Sequence, residues 1–301
     1  MRMLVVLLSL VSASMAYAQP PNDGAPIDDL IKVTQAAIAD VRSRVRPTLK
    51  EEEQKILDQI QDNVEPAATF NAQAWRRDQG ERIITVSAGV ALLMNVLGQS
   101  EAVGKRGNVD CMDTHMFRSI KDALEGTASD PPGPPRRVWS LAEFAQIEPK
   151  CKDADKLIAG DAEMAHEIEL MTKLGLALVI LHETAHHMLG HARELGYRPS
   201  TQKELDKSRD NEDAADEWAI RKAIEIGEPF ALVTPYLLIM AATTPDGVTL
   251  ERERTSTDPL GVRRTLSVLD NLKDDPAMTP EMLNSAKDAR RAFELLLQGA
   301  R

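Results

Sequence analysis

Residues 174–181 are almost wholly apolar, and they run without a break into His182-Glu183-Thr184-Ala185-His186. A helix that is apolar on every side belongs inside a fold. Ionisable groups at the end of such a helix need partners, because leaving them buried and unsatisfied costs several kcal/mol, of order ~2–7. Residues four apart share a helix face, so His182 and His186 can offer two imidazole nitrogens to one metal ion. Glu183 lies about 100° further round, where its carboxylate reaches a water on the metal rather than the metal itself. The chain must therefore build its core around this helix and use a metal to satisfy the helix's polar end.

Four of the six histidines fall between 182 and 191. His187 and His191 are also four apart, but Met188 follows His187 and can neither ligate nor accept a proton. These two are expected to be solvated or supporting histidines near the end of the helix, where a positive imidazole is favourable. A catalytic zinc takes three protein ligands and keeps one position open. A third histidine six residues after His186 is ruled out by Ala192, and Leu189 stands where that pattern has glycine. A glutamate from a second helix is the remaining common solution. The segment 211–219 supplies Glu212, with Asp216 one turn further on and Ala214 and Ala215 between them for close packing. Asp216 is placed to accept the second N–H of a ligand histidine and fix its tautomer. The competing reading of this segment is a solvated acidic helix start.

With HExxH followed by Glu-xxx-Asp, the chain resembles the zinc peptidase family of the CaaX prenyl proteases and the HtpX-like and periplasmic quality-control peptidases. Residues 70–74 and 81–93 are similar to that family's Asn-Ala-Phe-Ala segment and the strand and helix after it. Ser256-Thr257-Asp258-Pro259 with Arg264 resembles its Ser-Thr-His-Pro segment and the arginine that follows. The four segments span about 70 to 270 in the family's order. Asp258 departs from the usual histidine, and is either a loop acid, an acidic ligand or a sign of altered activity. The resemblance implies an edge strand that holds extended substrate by backbone hydrogen bonds, for which Arg82, Ile83, Ile84, Thr85, Val86 and Ser87 are the candidates, the alternative being a merely packed strand. It also implies a role for Arg264, either near a developing oxyanion or anchoring the helix of Glu212.

Relative to that family the chain carries some 60 extra residues, at about 98–160. The first 18 residues read as a signal peptide: Arg2, a short apolar core, and Ala16-Tyr17-Ala18 as a cleavage site. The mature chain is then expected to be exported, periplasmic or secreted, with no transmembrane segment. In an oxidising compartment Cys111 and Cys151, both within the extra segment, are expected to pair. With Pro131-Pro132-Gly133-Pro134-Pro135 between them, the segment reads as a tethered surface flap, either a lid over the site or decoration. The formal charge of −11 argues against nucleic acid or anionic membrane as partners.

The expected fold is α+β and predominantly helical, zincin-like, with the HExxH helix, a second helix bearing the third ligand, and a small edge strand or hairpin. Helices are expected at 27–45, 49–64, 212–226, 229–242, 259–272 and 279–298, with short helices near 116–124 and 140–146 in the cysteine segment, and strands only at 67–74 and 82–87. The mature chain, 19–301, is expected to form one zinc-peptidase domain binding one Zn²⁺. The function that follows is hydrolysis of extended or unfolded polypeptide, with Glu183 as base. The alternatives are an exported metal-binding, chaperone-like protein with little turnover, and a structural helical protein in which HExxH is coincidental.

Overall fold

The computed structural model describes residues 27–68, 70–77, 80–125, 138–228, 261–272, 279, 280, 283, 284, 287 and 290. The expected signal peptide, the proline run at 131–135, the 229–242 helix and Asp258 lie outside these residues, as does most of the expected 279–298 helix. Apolar spacing puts Leu30, Ala37, Ile38, Val41 and Val45 on one buried face of α1 (Ile27–Val45). Pro47 ends it in a single 3-10 turn at Arg46–Thr48. The helix expected over 49–64 is only half formed. After α2 (Glu51–Asp58) the chain extends into β1 (Ile60–Glu65), whose six residues pair in parallel with β3 (Arg82–Ser87). Pairing with a strand some 20 residues away outweighs the weak local preference for continuing the helix.

β2 (Ala72–Arg76) runs antiparallel to β3 through a turn where Gly80 takes a left-handed φ of 83°. A two-residue strand, β4 (Arg193–Glu194), adds in parallel to β2, giving the order β1-β3-β2-β4. β3 is thus an interior strand with both edges bonded. This corrects the expectation that Arg82, Ile83, Ile84, Thr85, Val86 and Ser87 form a substrate-holding edge. Continuous burial from Ile83 to Ser87 is what an interior strand covered on its faces requires.

β3 leads directly into α3 (Ala88–Lys105), most of which is buried. It packs against α6 (Ala162–Met188), the 27-residue helix that carries the histidine cluster. The approach is close enough that a Cβ at Gly98 would lie 3.2 Å from the backbone of Ile168. Asp161 starts α6 by accepting hydrogen bonds from the backbone N–H groups of Glu163 and Met164 at 3.0 and 3.2 Å. α7 (Gln202–Glu225) and α8 (Gly261–Leu272) follow. α7 begins ten residues before the expected start at Glu212, where Thr201 and Glu204 form a capping box. The architecture is α+β, mostly helical with one small sheet. Among the described residues no helix is long and apolar enough to cross a membrane.

Cys111 and Cys151 are disulfide-bonded, and their surroundings correct the flap model. α4 (Val109–Glu125) packs along α3, and α5 (Leu141–Ile147) follows behind Ser140 as N-cap. The bond is fully buried in a second small core with Val103, Leu141, Phe144 and Ala154. His115 is buried beside it, its Nδ1 2.9 Å from Ser100 Oγ and its Nε2 3.0 Å from the Trp139 carbonyl. Burial lowers its pKa to about 4, against the opposing effect of that carbonyl, so the ring is neutral at pH 7. The described part of the segment is a packed annexe, and none of its residues lines the cleft described below. Reduction, or replacing both cysteines with serine, is expected to lower unfolding stability by about 2–4 kcal/mol. Urea denaturation should show this loss with metal content unchanged. A faster reaction on large substrates without loss of stability would instead restore the lid.

Candidate metal site

The C-terminal third of α6 crosses the sheet over β2 and β3, which brings His182, Glu183 and His186 to one side of the molecule. α7 packs alongside and brings Glu212 opposite them. His182 Nε2 lies 3.1 Å from His186 Nε2 and 3.2 Å from Glu212 Oε2, and His186 Nε2 lies 3.4 Å from Glu212 Oε1. Four donors held about 2.05 Å from a tetrahedral ion are separated by about 3.3 Å. The two nitrogens and the two Glu212 oxygens lie at separations of this order, and the three residues could hold a metal ion. The donor set, two imidazoles and one carboxylate, leaves a fourth position open.

Asp216 supports the set from behind, as expected from its spacing. It is fully buried, and its Oδ1 lies 2.8 Å from His182 Nδ1. This contact directs the Nε2 lone pair of His182 toward Glu212 and His186. Arg264, on α8, grips the same carboxylate with both ends of its guanidinium: Nε to Oδ2 at 2.7 Å and Nη2 to Oδ1 at 2.8 Å. Its Nη2 is also 3.4 Å from Glu212 Oε2. Of its two expected roles, the geometry gives Arg264 the anchoring one. Burial would raise the pKa of Asp216, but Arg264 and His182 override it and hold the carboxyl well below its usual range.

The same competition governs the ligands. Burial opposes charge on His182, yet the Asp216 and Glu212 carboxylates raise its pKa to about 10. Glu212 is held down to about 2, chiefly by its bond to His182 against the effect of burial. His186 is lowered to about 4 by burial, which exceeds the attraction of Glu212. A proton and a metal ion would therefore compete for His182. Glu183 is different. It is buried, with no place among the mutually close ligand atoms, and burial raises its pKa to about 7. Its carboxylate also meets the backbone N–H of Ala74 on β2.

The two remaining histidines of the cluster part company. His187 is not solvated: it is fully buried, with Nε2 3.0 Å from the Ile83 carbonyl, and burial lowers its pKa to about 4. It ties the HExxH helix to the sheet. His191 lies past the end of α6, half-buried, its ring 5.7 Å from that of His186. It hydrogen-bonds the Asn211 backbone and faces the cleft. Its helical phase relative to His186 concealed this, because the chain leaves the helix at Leu189 and turns at Gly190, φ 74°.

A cleft of about 550 Å³ opens over the site. One wall is the β2 backbone at Ala72–Ala74. The other is a stripe of α7, Glu204, Lys207, Ser208, Asn211 and Glu212, spaced i, i+3, i+4, i+7 and i+8. Residues 191–199 close one end, contributing His191, Ala192, Arg193, Glu194, Tyr197 and Pro199. Since β4 pairs only with Trp75 and Arg76, β2 has no strand partner along Ala72–Ala74 on its outer side among the described residues. Among the described residues, the strand stretch without a partner that faces the cleft is thus Ala72–Ala74 of β2, and not β3. No model of a known protein family matches this chain, and no similar chain was found among curated proteins or solved structures.

Proposed function

We propose that the protein is a zinc-dependent endopeptidase of the kind its motifs resemble, acting outside the cytoplasm on extended or unfolded polypeptide. The observation that carries this reading is the convergence of His182, His186 and Glu212 at tetrahedral ligand spacing, with Glu183 buried beside them. Two nitrogens and one carboxylate oxygen suit zinc, and three protein ligands with an open position mark catalytic rather than structural sites. A zinc ion held there would supply Lewis acidity toward a carbonyl and acidify a water.

The chain's own residues do the rest. Glu183, with a pKa near 7, is poised to take a proton from water and return it to the leaving amine. Asp216 and Arg264 hold His182 in register. An extended peptide laid along Ala72–Ala74 would meet a stretch of β2 that has no outer strand partner among the described residues and pass over Glu183, a mode that recognises main chain rather than sequence. Export is supported by the buried disulfide, which persists in oxidising compartments.

The test is metal analysis of the purified protein together with digestion of an unfolded protein such as casein. One zinc per chain and chelator-sensitive digestion are expected, and Glu212→Ala should lose the metal at limiting zinc. Full occupancy in Glu212→Ala would mean that the third ligand is wrongly assigned. Bound zinc with casein left intact would favour a metal-binding protein without turnover.

A further inference from the structure

We infer that Arg193 and Lys207 form a carboxylate-binding subsite at one end of the cleft, so that substrates carrying a negative charge there are selected. The inference rests on the peptidase reading and names the substrate class that this site prefers. Arg193 enters the cleft from β4 and Lys207 from the α7 stripe, so two separate elements deliver cations to one place. Both line the same cleft as His191. Both side chains are exposed, and neither is ion-paired among the described residues; Arg193 rests against the Tyr197 ring, its guanidinium carbon 5.8 Å from the centroid.

The acidic residues at that end make no ion pair with them among the described residues. Glu204 is committed to the start of α7, where its Oε2 accepts hydrogen bonds from the backbone N–H and hydroxyl groups of Ser200 and Thr201 at 2.9–3.2 Å. Glu194 also lines the cleft, next to Arg193 in the chain, and forms no ion pair with Arg193 or Lys207 among the described residues. Arg193 and Lys207 thus face the cleft without a salt-bridge partner among the described residues, beside carboxylates that leave its lining mixed in charge. A carboxylate satisfies both: a planar guanidinium offers it paired donors, and an ammonium a point charge. It can come from an acidic side chain or from the end of the substrate chain.

The experiment uses the zinc-loaded Glu183→Gln protein, which should bind without turning over, and fluorescently labelled peptides read by anisotropy. A neutral, C-terminally amidated peptide is compared with versions bearing a single Glu, Gln or Lys at each position in turn, and with the neutral peptide bearing a free C-terminus. Glu at one position should bind about fivefold tighter than Gln there, and more weakly as salt is raised. If instead only the free C-terminus gives this gain, the subsite reads the chain end. Arg193→Glu with Lys207→Glu should reverse the preference in favour of Lys, with zinc content unchanged. No discrimination at any position or at the C-terminus, or discrimination that survives the double reversal, overturns the subsite. Wild-type cleavage of the same peptides is scored separately. Cleavage without charge preference defeats the subsite alone, and charge-selective binding without cleavage defeats the peptidase reading alone.

Discussion

Replacing Glu183 with Gln is expected to leave zinc content unchanged and to reduce hydrolysis of an unfolded protein by about 10²-fold or more, the usual cost of losing a general base. The separation of binding from turnover follows from geometry. The ligand atoms close enough to share an ion come from His182, His186 and Glu212, and Glu183 stands outside that set. Gln keeps the size of the side chain and can still accept the Ala74 N–H through its carbonyl oxygen, so the fold around β2 and α6 is preserved. What it cannot do is take a proton. Burial raises Glu183 to about 7, which places a carboxylate base near the pH at which it can both accept and return a proton. Metal analysis and single-turnover cleavage on the same preparation check both halves. A Glu183→Gln variant as active as wild type would refute the assignment of the base.

Arg264→Met is expected to destabilise the protein by about 3–5 kcal/mol, the cost of breaking a buried charge pair. It should also weaken zinc affinity by about 10–100-fold, as loss of an outer-shell partner does. Asp216 is fully buried, and its carboxylate is held by two guanidinium bonds of 2.7 and 2.8 Å on one side and by His182 Nδ1 at 2.8 Å on the other. Without Arg264 the charge loses its strongest support, and the orientation of His182 is no longer over-determined. The two effects separate in experiment: urea unfolding of the metal-free protein reads the first, and competition with a chromophoric chelator reads the second. Unchanged affinity in a destabilised variant would confine Arg264 to the fold. Unchanged stability would mean that the pair contributes nothing in spite of its burial.

The parts of the site legible from residue order alone are those that lie within one helical turn of each other. His182 and His186 at i and i+4, Glu183 between them, and Glu212 with Asp216 one turn apart could all be read, because helix geometry converts spacing into facing without any tertiary information. The apolar run before His182 likewise announced a central helix, and the expectation of export, with two cysteines in the chain, announced a bond between Cys111 and Cys151. Everything that depends on which segment lies beside which had to wait for the folded chain. The burial of residues 83–87 reads the same in an edge strand packed on one side as in an interior strand. Only the parallel pairing of β1, hidden in a segment that also reads as helix, gives β3 a second neighbour and leaves Ala72–Ala74 of β2 as the unpartnered stretch at the cleft among the described residues. The same holds for the cysteine segment, where chain position suggested a flap. Burial of the disulfide against α3, α4 and α5 makes it a second core, because a polar spacing pattern does not reveal which apolar residues from distant turns will meet. His187 and His191 were indistinguishable as letters near a helix end. The sheet beneath α6 buries one against the Ile83 carbonyl, and the turn at Gly190 aims the other into the cleft, where Arg193 and Lys207 also arrive.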